Sequence, residues 1–213
     1  DDTLRLDTAW ARDTRNSFLF PTKGLLQRVA AEIGTPVGSL QYYKLSFQHQ
    51  QFFPLSKSFT LMLNGEVGIG NGLSGEPLPF FKNFYAGGNS SVRGFTNGTL
   101  GPKDANGDAL GGNKRVIANA ELFFPLPGLK DDQSLRMSAF VDAGASFGPG
   151  NISNGVPDSR YEKFAFGDLR YSAGVAVLWV SPLGPLKFSL AQPLVSKTGD
   201  KSEVFQFTLG NVF

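Results

Sequence analysis

The chain has 213 residues, with 26 Gly, 20 Phe, no Cys and a formal charge of +2, enough for one sizeable core in a single domain or two small ones. So small a charge, without a basic cluster, gives no electrostatic footprint for nucleic acid, and the lack of cysteine excludes disulfides, thiolate metal sites and a cysteine nucleophile. No apolar run reaches membrane-helix length; this excludes a helical membrane protein and leaves open a membrane barrel, whose alternating strands average out in any hydropathy window.

Period-two alternation bounded by Gly, Pro, Asn and Asp runs through the chain and reads as strands. Three weaker strands come first, over residues 4–12, 25–33 and 41–53. In the next, Phe59, Leu61, Leu63, Val67 and Ile69 form one face, and Thr60, Asn64 and Glu66 the other. Val116, Ala118, Ala120, Leu122 and Phe124 then oppose Arg115, Asn119 and Glu121. Leu135, Met137, Ala139, Val141 and Ala143 oppose Arg136, Ser138, Phe140 and Asp142. The longest alternation sets Leu169, Tyr171, Ala173, Val175, Val177 and Trp179 against Arg170, Ser172, Gly174 and Ala176. Leu186, Phe188 and Leu190 oppose Lys187 and Ser189, and Phe205, Phe207 and Leu209 oppose Gln206 and Thr208 before the chain ends on Phe213. The count is about nine strands. Tyr171 and Trp179 stand near the two ends of one apolar face, roughly 19 Å apart along a membrane normal for a strand tilted near 45°. That is a little inside the apolar band of about 25 Å that aromatic girdles flank in outer-membrane barrels.

The connections at 36–39 and 181–185 are short and turn-like, and 127–133 is slightly longer. Two are long, at 71–113 and 148–168. Short turns at one end and long loops at the other are what outer-membrane barrels show. A soluble β-sandwich also alternates, but it tolerates charge freely on its outer face. Here the apolar faces are continuous, with Arg12, Gln27 and His49 as exceptions expected near strand ends. The expected fold class is all-β, an antiparallel transmembrane β-barrel.

The long loop carries Phe84-Tyr85-Ala86-Gly87-Gly88-Asn89-Ser90-Ser91-Val92-Arg93-Gly94-Phe95. Its core, Val92-Arg93-Gly94-Phe95, sets one guanidinium between bulky apolar residues and beside a glycine. A buried guanidinium needs a partner, because an unpaired charge out of water is prohibitively costly. The two strands after the loop offer Glu121 and Asp142 on their polar faces, and a planar fork of five donors suits a pair of carboxylates. On this reading the loop tip folds back into the barrel and is pinned there. On the other, Arg93 is an ordinary solvated loop residue and the two acids face water. Enzyme chemistry finds little support: the single histidine is His49, the one Gly-x-Ser-x-Gly spacing, around Ser146, is followed by no helical stretch and so makes no nucleophile elbow, and no acid cluster has metal spacing. No cofactor is expected.

In the 84–95 segment, together with Gly101-Pro102, Asn119-Ala120-Glu121-Leu122-Phe123 and Ser181-Pro182-Leu183-Gly184-Pro185-Leu186, the chain closely resembles the C-terminal barrel of the BamA family of outer-membrane assembly proteins. The resemblance runs from Phe20-Pro21-Thr22-Lys23-Gly24 to Phe213. It lies within the D15 surface-antigen superfamily, which also takes in TamA and the two-partner secretion transporters. The resemblance implies the C-terminal part of a sixteen-stranded barrel in the bacterial outer membrane. It makes Val92, Arg93, Gly94 and Phe95 the tip of a lumen-seeking loop, with Glu121 and Asp142 as the wall acids that meet it. Phe205, Phe207, Leu209, Gly210 and Phe213 match the family's C-terminal signal strand, which closes the barrel weakly against the first strand. The function implied is assembly: folding and insertion of other barrel proteins, with lipids and unfolded barrel proteins as partners. Assembly lipoproteins would join through upstream POTRA domains, of which this chain holds none. A secretion pore for one exported protein, or the barrel anchor of an upstream hydrolase, are the alternatives. The opening Asp1-Asp2-Thr3 reads as a mature product or a piece of a longer chain. Half a barrel would leave two open edges, so the chain is expected to close as a small barrel, pair with a second copy or refold.

Overall fold

Strands follow the alternating stretches and run on through single interior residues such as Gly65, Asn119, Gly174 and Pro193. The computed structural model describes residues 4–35, 40–73, 78–104, 106–126, 134–148, 150–153, 156–158, 164–182 and 184–210. The connections expected at 36–39 and 127–133, and the terminal Phe213, lie outside the described residues. Nine long strands are β1 (Arg5–Asp13), β2 (Gly24–Gly34), β3 (Tyr42–Pro54), β4 (Thr60–Gly72), β6 (Lys114–Pro125), β7 (Leu135–Phe147), β10 (Arg170–Ser181), β11 (Gly184–Val195) and β13 (Phe205–Leu209). Four short ones, β5 (Gly94–Phe95), β8 (Gly150–Ser153), β9 (Val156–Asp158) and β12 (Ser202–Glu203), belong to the loops.

The nine long strands form one antiparallel sheet in the order β1-β2-β3-β4-β6-β7-β10-β11-β13. Its register is the one the alternation demands: Val67 faces Val116 across β4 and β6, and Val141 faces Ala173 across β7 and β10. A slip of one residue would exchange the two faces. The convex face presents Leu63, Val67, Val141, Val175 and Leu190, each at least 42% exposed, whereas the concave face buries Met62, Glu121, Phe140, Asp142 and Ser172. So broad an apolar surface marks an interaction face in a water-soluble protein; on tilted alternating strands it is the lipid face of a barrel.

Strand ends are staggered. Asp13, the last residue of β1, stands beside Leu26, and Leu26 beside Gln50, four residues before the end of β3 at Pro54. That stagger is the tilt a barrel wall needs. The sheet remains open: β1 and β13 are its two edges, and no pairing joins them among the described residues. Of the three outcomes expected for half a barrel, closure on itself is not made by the described residues.

The core lies between the concave face and the long loop, not between two sheets. Ala86, Val92, Phe95 and Leu100 of the loop pack with Ile117 of β6. At the short-turn end the connection between β1 and β2 folds under the wall, placing Phe20 and Pro21 against Phe123, Arg136 and Leu178. The Arg136 guanidinium stands 4.9 Å from the centre of the Phe20 ring.

Candidate functional site

The loop between β4 and β6 enters the lumen through a backbone bridge in which Phe84 and Gly112 exchange N–H···O bonds of 2.7 and 2.8 Å. Beyond it the chain turns at Gly87 and Gly88 and presents Val92-Arg93-Gly94-Phe95 to the wall. Gly94 is required there. Its φ of +85° is the left-handed region that side chains avoid, and a Cβ would stand 3.1 Å from that of Ala191.

Arg93 is 3% exposed, so it is pinned and not solvated. Its Nε donates to Asp142 Oδ2 at 2.7 Å, its NH2 to Asp142 Oδ1 at 2.8 Å, and its NH1 to Glu121 Oε2 at 2.9 Å. The Arg93 backbone N–H adds a bond of 3.0 Å to Asp142 Oδ2. The Phe140 ring, between the two acids on the same concave face, lies 3.3 Å from the guanidinium carbon. Burial opposes the Arg93 charge, but the Glu121 and Asp142 carboxylates outweigh it and hold its pKa above the ordinary value. Buried ion pairs are stable only when every remaining lone pair is also satisfied. Here Ser138 Oγ donates to Glu121 Oε1 at 2.6 Å and Asn119 Nδ2 to Asp142 Oδ1 at 2.9 Å. Lys187 Nζ, from β11, reaches Glu121 Oε2 at 3.4 Å. Two cations thus face two anions.

The loop tip is also held to the last strand. Gln206 of β13 accepts from the Gly94 N–H at 3.3 Å and donates to the Phe95 carbonyl at 2.7 Å. Asn89 donates to Thr208 Oγ1, and Ser189 Oγ donates to Asn89 Oδ1 at 3.0 Å. Ser202 and Glu203, in the loop before β13, pair as β12 with Phe95 and Gly94 of β5. That loop is anchored in turn by Asp200, whose carboxylate takes two bonds from Arg170, at 2.9 and 3.1 Å.

Val92, Arg93, Gly94, Phe95, Glu121 and Asp142 are thus in one cluster. Phe205, Phe207 and Leu209 point outward from β13, exposed on the lipid face, while Gly210 follows the strand and donates its N–H to Pro185 at 2.9 Å. Asn119, which lies in the Asn119–Phe123 motif but carried no role there, joins the cluster, as do Ser138, Phe140, Lys187 and Gln206, which no motif marks. Their one signal was placement on the inward phase of their strands. His49 takes no part: it faces outward from β3, five residues before its end, and not at the strand end where it was expected. Among the described residues no group of three His, Cys, Asp or Glu side chains could hold a metal.

Comparison with known proteins agrees with this geometry. The outer membrane protein assembly factor BamA of Neisseria meningitidis is 48% identical over 96% of this chain and 28% of its own length. A SAM50-like protein of Schizosaccharomyces pombe is 29% identical over 93% of this chain and 42% of its own. The crystal structure of BamA from Haemophilus ducreyi lacking POTRA domains 1–3 superposes with a TM-score of 0.85 and 31% identity, covering 95% of this chain and 41% of that one. The chain therefore spans between about a quarter and two fifths of these relatives. Its strands are those of a bacterial outer-membrane barrel. Residues 1–213 match the Omp85 superfamily domain, and the chain belongs to that superfamily.

Proposed function

We propose that this chain is the latch-bearing part of an outer-membrane assembly factor, promoting the folding and insertion of other β-barrel proteins. The observation that carries the reading is the double tether of one loop tip, to the wall acids Glu121 and Asp142 and to Gln206 on the edge strand β13. A loop so held sets the position of an unpaired strand edge, and an unpaired edge can template an incoming strand by main-chain hydrogen bonds. The outward aromatics of β13 would serve as the strand by which such barrels are recognised. Unfolded barrel proteins are the substrates on this reading, with lipoproteins engaged through upstream domains. No bond-making chemistry is assigned, in keeping with relatives named as assembly factors.

The test is reconstitution of the full-length protein in vesicles, with the folding rate of an unfolded barrel substrate as readout. Arg93→Ala is expected to slow that rate severalfold while Arg28→Ala, on the lumen face away from the latch, leaves it unchanged. Equal rates for wild type and Arg93→Ala would overturn the proposal.

A further inference from the structure

The lipid-facing surface has one polar island, and the register assembles it. Arg12 of β1 pairs with Gln27 of β2, and Gln27 with His49 of β3, so three polar side chains stand in one cross-strand row on the outward face. Neighbours in such a row lie about 5 Å apart. Because the strands are staggered, the row climbs. Arg12 is one residue from the short-turn end of β1, Gln27 three from that of β2, and His49 five from that of β3. Five residues at strand rise and barrel tilt put His49 about 13 Å above the strand end, inside the apolar band.

Polar groups in such a place are costly unless something satisfies them. Among the described residues Arg12, Gln27 and His49 have no side-chain hydrogen bond or ion pair. The outward positions of β1 to β4 hold no acid: Asp7, Asp13, Glu32 and Glu66 all belong to the opposite, lumen phase, and Asp13, next to Arg12 in sequence, is paired with Arg15 at 2.7 Å. Beside His49 stands Gly65, where an added Cβ would meet nothing within 4 Å, so that flank of the imidazole is uncovered.

We propose that this row binds one anionic glycerophospholipid of the leaflet on the short-turn side. The depth order matches that molecule. Arg12, at the strand end, meets the phosphate with charge-assisted donors. The Gln27 amide and the His49 imidazole, higher on the wall, donate to the ester oxygens that lie between phosphate and acyl chains. Charge complementarity selects the occupant: one cation with no acid on its own face, the adjacent Asp13 being on the lumen phase and paired with Arg15, favours a lipid of net negative charge over a zwitterion.

The experiment uses the full-length protein. Native mass spectrometry from detergent micelles titrated with phosphatidylglycerol is expected to show one tightly retained lipid. Arg12→Leu weakens its retention about tenfold, the scale of one hydrogen bond to a charged group. Gln27→Leu and His49→Leu weaken it less, and Arg28→Leu, one residue away on the lumen phase, leaves it unchanged. Thermal unfolding supplies the second readout. In phosphatidylcholine vesicles Arg12→Leu unfolds no earlier than wild type, which shows an intact fold. Adding phosphatidylglycerol raises the wild-type midpoint but not the variant's. Equal retention by Arg12→Leu and wild type, or equal stabilisation of both by phosphatidylglycerol, would overturn the proposal.

Discussion

Removing the Arg93 side chain leaves two buried carboxylates where there were two anions and two cations. Three charge-assisted bonds go, to Asp142 at 2.7 and 2.8 Å and to Glu121 at 2.9 Å. Among the described residues the cation that remains beside these acids is Lys187, 3.4 Å from Glu121. Breaking a buried pair by deleting one partner costs about 3–5 kcal/mol, mostly because the other partner stays behind uncompensated. Arg93→Ala in the full-length protein is therefore expected to lose about that much stability. Arg93→Lys should recover only part of it, since an ammonium cannot fork between two carboxylates. The sharper test is the double variant Arg93→Ala with Asp142→Asn. Neutralising Asp142 leaves Glu121 and Lys187 as a balanced pair, so the second substitution should restore about 1–2 kcal/mol to the first, a non-additive outcome typical of residues in one network. The assay is thermal unfolding in detergent, followed by the mobility difference between folded and unfolded barrel on gels. An Arg93→Ala variant within about 0.5 kcal/mol of wild type, the range of an ordinary surface substitution, would refute the latch. A double variant less stable than the single would refute the charge-balance account.

Gly94→Ala should cost about 1–3 kcal/mol through its left-handed φ alone, and Gly98→Ala, at φ +74° with the Tyr85 side chain as its nearest neighbour, allows the comparison with a site away from the wall. Gln206→Ala removes one of the ties to β13 and should raise hydrogen exchange at the Gly94 amide while leaving that of Arg93, held by Asp142, protected. Unchanged exchange at Gly94 would show that the bond is unimportant. Val67→Arg, on the outward face of β4, should destabilise the barrel in bilayers by about 2–4 kcal/mol, the range for a cation near the membrane midplane, and far less in the absence of lipid. For the nine-stranded chain by itself, the two open edges predict a dimer by mass in detergent; a monomer with fully protected edge amides would exclude edge pairing.

Strand identity, face and approximate ends were legible along the chain because they depend on period-two alternation, which is local. Val67, Val141 and Val175 lie outward, and Glu121 and Asp142 inward, for no reason beyond their phase. Alternation and charge offered Glu121 and Asp142 as partners of Arg93, and the family resemblance favoured a latch over the solvated loop that residue chemistry alone left open. What alternation could not supply is contact across long separations. Gln206 meets Phe95 across 111 positions and Lys187 meets Glu121 across 66, and nothing periodic marks either pair. The β5–β12 pairing involves two residues on each side, too few for any pattern to register. Depth in the membrane is likewise collective. His49 looked like a strand-end exception, but the stagger of β1 to β3 sets it well up the wall, in one row with Gln27 and Arg12. Local alternation is enough to make a wall with two faces; what each face meets depends on inter-strand register and on a loop folded through the lumen, which bring together residues that no local rule connects.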